Sequence, residues 1–184
     1  MMTENNGGSS TLLENYQALV GKIYALCREI ILASGDAIAC RKGCDGCCRY
    51  FSVFLVEAYA IAEAVANLEP DRAALVRDRA RSALDGDSCP LLDAGSCMLY
   101  NQRPIICRTH GLPILMKTGE VTTIDFCPMN YRHADSIEGR HIIDLDRLND
   151  TLAAINSLFM KNKFSGILPP TQRLTIAEAV LLQV

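Results

Sequence analysis

Tryptophan is absent, histidine occurs three times, and aromatic side chains make up 6% of the 184 residues. So few rings give no platform on which the bases of a single-stranded nucleic acid can stack. Charge supplies no nucleic-acid footprint either: 18 Lys and Arg stand against 21 Asp and Glu, a formal charge of −3. The most apolar stretch, FSVFLVEAYAIAEAVANL, is interrupted by Glu57 and Glu63, so no run of about eighteen uncharged apolar residues reads as a membrane span. The opening MMTENNGGSS has neither the basic nor the apolar segment of a secretory signal. The expectations are no nucleic acid, no membrane and a cytoplasmic location. A Gly-rich phosphate loop and a Ser-His-Asp arrangement are missing as well.

What the chain has is cysteine, nine of them. With 49% hydrophobic residues, it can bury a core without disulfide staples. In a reducing compartment a thiol cluster points to metal or redox chemistry. An odd count would also leave one thiol over from any set of disulfides.

Four thiols fall within CRKGCDGCC: Cys40, Cys44, Cys47 and Cys48, spaced C-x3-C-x2-C-C. Gly43 and Gly46 are interleaved, and glycine there lets backbone N–H groups turn toward the sulfurs. Four more lie at Cys89, Cys97, Cys107 and Cys127. The ninth, Cys27, shares the spacing of Leu12, Tyr16, Leu19, Ile23 and Ile30, a helical apolar stripe, and reads as a small core residue.

The intervening pattern is mostly helical. Ser10 or Thr11 caps the first helix and Gly35 ends it. RYFSVFL is short and β-prone. Val56 to Leu68 is an Ala-rich helix ended before Pro70, and Asp71 to Leu84 is a second with Leu75, Val76 and Leu84 on its buried side. Asp85-Gly86-Asp87 is a loop. Turns fall at Asp93 to Ser96 and at Asn101 to Pro104. LPILM and VTTIDF alternate around Lys117 to Glu120 as a β-hairpin, whose open end brings Cys107 and Cys127 together. Leu148, Leu152, Ile155 and Phe159 mark a helix from about Asp144 to Met160. FSGILPP is a loop, and Thr175 to Gln183 a terminal helix.

Three chemistries suit such thiols. Cys44-x2-Cys47 has zinc-knuckle spacing, and eight thiolates suffice for two closed zinc sites or one shared binuclear site. Cys40, Cys44 and Cys47 can instead take three irons of a cubane, with Cys48 or a remote cysteine on the fourth. A thiol–disulfide switch at Cys44, Cys47 and Cys48 is the third, but it needs only two or three thiols. The triplet also has the spacing of radical S-adenosylmethionine enzymes, although it follows a helix and too few strands exist for their barrel. Arg41, Lys42, Arg49, Arg103 and Arg108 can lower thiol pKa values and offset an anionic site. His110 is either a group supporting the ligands or an ordinary loop histidine. Glu57 and Glu63 share a helix without an evident partner.

With both cysteine regions in view, the sequence resembles the YkgJ family of cysteine-cluster proteins, which are described as zinc- or iron-chelating. CRKGCDGCC, CPLLDAGSCMLYNQRPIICRTHGLP and DFCPMN carry the resemblance, over about residues 40 to 130. It implies that Cys40, Cys44, Cys47, Cys48, Cys89, Cys97, Cys107 and Cys127 are the metal ligands, and that the family's Arg-Pro pair is Arg103-Pro104. A similar cysteine region occurs in flagellin lysine methylases, where it is linked to an iron–sulfur cluster. The resemblance carries over the cluster and not the activity.

The expected fold is mainly α, with helices surrounding an irregular cysteine-rich metal-binding centre and one small β-hairpin. Residues 1–9 form a disordered tail and 10–184 a single domain. The expected function is chelation of an iron–sulfur cluster, with [4Fe–4S] preferred, or of Zn2+. The alternatives are a small cluster-dependent protein-modifying or methyl-transfer enzyme and a structural zinc module for protein interaction. No catalytic residue is assigned, and a protein partner or substrate is left open.

Overall fold

The computed structural model describes residues 8–83, 88–133, 136–165 and 172–184. Residues 1–7 of the expected tail, Leu84, the loop at Asp85 to Asp87 and residues 166–170 of the later loop lie outside them.

Helices dominate. The first, α1, runs over Gly8–Ser34, beginning before the expected caps at Ser10 and Thr11. Leu13, Tyr16, Ile23, Cys27 and Ile30 face the core from it. The Ser34 hydroxyl donates to the Ile30 carbonyl (2.7 Å), and Gly35, with φ +49, ends the helix in the left-handed region open to glycine. Helix α2, Leu55–Ala66, is packed on both sides. Helix α3, Pro70–Ser82, starts on its proline, where the missing N–H costs nothing. Its inner side is Ala73, Val76 and Ala80. Leu75, expected on that side, is exposed, because the small residues rather than the large one meet the neighbouring helix.

A five-residue α4, Ile105–Thr109, carries Cys107. Helix α5, Leu145–Lys163, is capped by the Asp144 side chain, which accepts from Arg147 N (3.0 Å). The terminal α6, Ile176–Leu181, opens on a capping box between Thr175 and Glu178.

Strands occur in three small sheets among the described residues. The hairpin β4 (Ile114–Thr118) with β5 (Val121–Asp125) turns where expected. Its β4 also takes a parallel partner, β6 (Ile143–Asp144). A second hairpin joins β2 (Leu92–Asp93) to β3 (Ser96–Cys97), and β1 (Ser52–Phe54) pairs antiparallel with β7 (Arg173–Thr175). The mainly α class is as expected. Of the extra pairings, β1–β7 and β4–β6 join segments far apart in sequence, β2–β3 closes over the expected turn at Asp93 to Ser96, and all three are too short to show a period of two.

Two apolar clusters divide the interior. One holds α1, α5 and the start of α2 together through residues such as Ile30, Val56, Leu152 and Phe159. The other packs α2, α3 and α6 through Ile61, Val65, Val76 and Val180, with Cys89, Cys97 and Cys107 against it. Two buried polar side chains serve the N-terminus of α2. Asn156 accepts from Val56 N (3.0 Å), and Glu57 accepts from Phe54 N (3.1 Å), so backbone donors the helix leaves open are met by protein.

Candidate metal centre

The first cysteine segment is two successive tight turns. Cys44 N donates to Arg41 O (2.9 Å) and Cys48 N to Asp45 O (2.8 Å), and all four thiols of this short loop line one cavity. Backbone contacts dock the loop on the second region. Gly43 N donates to Gly95 O (3.2 Å), Cys89 N donates to Cys48 O (3.1 Å), and Arg49 forms a bridge with Ser88. Gly95 is left-handed (φ +72), and a Cβ on it would stand 3.1 Å from the Gly43 Cα. Gly95 therefore serves the close approach of two loops; Gly43 has open space where a Cβ would stand and answers to its left-handed backbone (φ +91), its N–H going to Gly95 O where its spacing had suggested a sulfur.

Seven of the eight thiols, all but Cys127, line one cavity of about 550 Å3. Among the described residues its lining holds five cations, Arg41, Lys42, Arg49, Arg103 and Arg108, and no carboxylate. Two of them build the wall. Arg103 donates to Tyr100 O (3.0 Å) and Cys107 O (3.3 Å) and lies 3.7 Å over the Tyr100 ring. Arg108 donates to Arg103 O (2.7 Å). The Arg-Pro pair thus shapes the turn that presents Cys107. His110 lines the same cavity, its ring 6.0 Å from that of Phe51.

The thiols fall into two neighbourhoods. Cys40 has Cys44, Cys127 and Cys47 around it. Cys107 has Cys89, Cys97 and Cys48. The two meet where Cys47 is hydrogen-bonded to the adjacent Cys48 sulfur. The β4–β5 hairpin does not bring Cys107 and Cys127 to one place, as its outline suggested. The turn after α4 separates them: Cys127 N donates to Gly111 O (3.3 Å), which seats Cys127 beside Cys40, while Cys107 faces inward. A Cβ on Gly111 (φ +85) would lie 3.2 Å from Cys127 Cβ and 3.5 Å from Cys40 Sγ, so glycine is required there.

Burial differs between the neighbourhoods. Cys40 and Cys44 are exposed. Burial, with the neighbouring thiols adding to it, pushes Cys107 up to about 12, and burial pushes Cys89 up to about 11. Cys40, Cys47, Cys48 and Cys97 are raised as well, again chiefly by burial. These thiols keep their protons in the metal-free fold, and a metal must displace them.

The donor set fits a thiophilic metal. The Cys89 sulfur accepts from the backbone N–H of Leu91 and Leu92, and the Cys97 sulfur from that of Leu99. Such N–H groups stabilise a thiolate in advance of the metal. Ser96 Oγ, on the cavity wall, is buried without a hydrogen-bond partner among the described residues, a hydroxyl free to donate to a thiolate or sulfide. Asn130 is fully buried. Its Oδ1 accepts from Ala39 N (2.9 Å), while its Nδ2 donates to Gly111 O (2.7 Å) and Cys40 Sγ (3.5 Å). Among the described residues no three His, Cys, Asp or Glu side chains converge on a point the size of one ion.

Residues 39–128 match a model of metal-chelating domains. The model is that of the CxxCxxCC family, described as a "putative zinc- or iron-chelating domain", and this stretch of the chain is similar to it. The matched span contains all eight thiols of the two regions and excludes Cys27. No curated protein and no solved structure matches the chain.

Cys27 lies apart from the cavity, buried in the α1–α5 core, where its thiol donates to Arg108 O (3.6 Å). Sequence reasoning missed Asn130, Ser96 and Gly111. Asn130 does stand three residues after a candidate ligand in DFCPMN, the one signal that could have marked it. Glu57 had no visible partner in the sequence because its second donor, Ile105 N (3.0 Å), lies at the start of α4.

Proposed function

We propose that the chain is a metal-chelating protein that holds iron–sulfur through Cys40, Cys44, Cys47, Cys48, Cys89, Cys97, Cys107 and Cys127. The observation that carries this reading is the cavity: two segments remote in sequence bring seven of the eight thiols to one space, free of carboxylates among the described residues, with cations on its wall and N–H donors at its sulfurs. Thiolates without carboxylates select soft metals over calcium or magnesium.

Iron–sulfur is preferred to zinc on size. Four thiols round a tetrahedral zinc stand about 3.8 Å apart, given bonds of about 2.3 Å. The thiols here surround a space of about 550 Å3 and nowhere converge that tightly among the described residues. A polynuclear cluster fills such a space and would supply one-electron chemistry or a Lewis-acidic iron. The zinc-knuckle spacing of Cys44 and Cys47 favours a zinc module as the second reading.

Purification without oxygen, followed by assay of iron, zinc and acid-labile sulfide, tests both. Brown protein with iron and sulfide in equal amounts is the expected result. Colourless protein with stoichiometric zinc would replace iron–sulfur by zinc. Protein without metal would end the chelation reading.

A further inference from the structure

We infer that the eight thiols form two adjoining four-thiolate centres of unequal access: an open, exchangeable one at Cys40, Cys44, Cys47 and Cys127, and a deep, structural one at Cys48, Cys89, Cys97 and Cys107. The inference rests on the chelation reading above and divides its site in two.

The open set is built at the surface. Cys40 and Cys44 are exposed, and the turns that carry Cys40, Cys44 and Cys47 are held by backbone hydrogen bonds rather than by apolar packing. Asn130 and Gly111 close its inner side, joining Ala39, Cys40 and Cys127 at one point. An incoming thiol or chelator reaches a metal here without unfolding the chain.

The deep set is anchored in the core through three of its four thiols, and Cys48, half-buried like Cys47, joins them from the loop. Cys89, Cys97 and Cys107 pack against the α2–α3–α6 cluster. Arg79 of α3 clamps the β2–β3 hairpin, donating to Leu92 O (2.9 Å) and to Asp93 (2.8 Å). Cys107 is positioned through Glu57, which accepts from Ile105 N at the start of α4. A metal held there leaves only when this part of the fold opens, and its binding free energy is folding free energy. One protein thus carries a permanent centre that supports a neighbouring exchangeable one, the arrangement suited to receiving or passing on a thiophilic metal or cluster.

The test uses the full chain purified with its metal in the absence of oxygen, challenged with excess EDTA, and followed by metal release. Two phases of equal amplitude are expected, the fast at least tenfold faster than the slow. Cys47→Ser should abolish the fast phase alone. Cys48→Ser, one residue away, should lower the slow amplitude and the melting temperature. Release in a single phase from the wild type, a measurement that needs no variant to fold, would overturn the division and point to one centre bridged at Cys47 and Cys48. Equal loss of both phases in Cys47→Ser would overturn it too. Wild-type protein that holds no metal would remove the chelation reading and this inference with it.

Discussion

The loop at residues 40–47 and the segment at 89–107 carry the same thiol side chain and are held by different forces. The loop has two tight turns, two glycines and a contact through Gly43 and Gly95 where no side chain intervenes. The segment is gripped by side chains: Arg79 on the hairpin, Arg103 on the Cys107 turn, and the apolar cluster beneath. A thiol held by backbone turns stays near solvent. A thiol held by apolar packing is dehydrated, and its proton is bound more tightly. Identical side chains therefore have unequal chemistry because of what lies behind them.

The comparison breaks most sharply at Cys107. Cys107→Ala removes a ligand that is also part of the core, and the metal-loaded protein should lose on the order of 5 kcal/mol in urea unfolding. Cys44→Ala should lose less than about 2 kcal/mol while still losing metal. Equal losses would mean that burial does not distinguish the two regions.

Metal-stripped, reduced protein should show the same contrast through pH. The folded pKa of Cys107 is raised from 9.0 to about 12. A raised value stabilises the fold fully below the unfolded pKa, and that contribution disappears as pH climbs from about 9 to about 12. For this thiol alone the loss is roughly 4 kcal/mol at the upper end. Thermal melts at rising pH should fall steeply over that window, and less steeply in Cys107→Ser. A flat profile would argue against a buried Cys107.

Glu57→Ala leaves two backbone donors, the buried Ile105 N and the half-buried Phe54 N, without their acceptor. Roughly 3 kcal/mol of stability should go, and with it the slow-release metal, since α4 loses its anchor. Full metal retention would separate Glu57 from the deep centre.

Asn130→Ala acts on the other side. It should cost about 2 kcal/mol and weaken metal at Cys40 between tenfold and a hundredfold, as loss of a partner outside the ligand shell usually does. Competition with a chelator measures this, and an unchanged slow phase is the control. The smallest effect belongs to Cys27→Ala, about 1 kcal/mol of cavity cost with metal content untouched. Loss of metal there would undo the separation of Cys27 from the other eight.

Much of this was legible without coordinates. The apolar period of α1 and α5, the proline that opens α3 and the alternation of the β4–β5 hairpin are local signals, and each element stands near where its pattern put it. So was the distinction of Cys27, because its place on a helical stripe is a matter of spacing. The eight remaining cysteines were visible as two groups by position in the chain, 40–48 and 89–127. Tertiary structure regrouped them: Cys48 joined Cys89, Cys97 and Cys107, and Cys127 joined Cys40.

No local pattern could have given that grouping. It depends on a glycine contact between loops, on a left-handed Gly111 that turns the chain between Cys107 and Cys127, and on Asn130 reaching back ninety residues to Cys40. Leu75 shows the same limit, since which side of α3 is covered depends on the helix that comes to lie against it. Sequence by itself determined the two thiol-rich segments, the helical content and the place of Cys27, because composition and spacing act within a few residues. Which thiols share a neighbourhood, and how deep each lies, was decided by packing between segments that the chain keeps far apart.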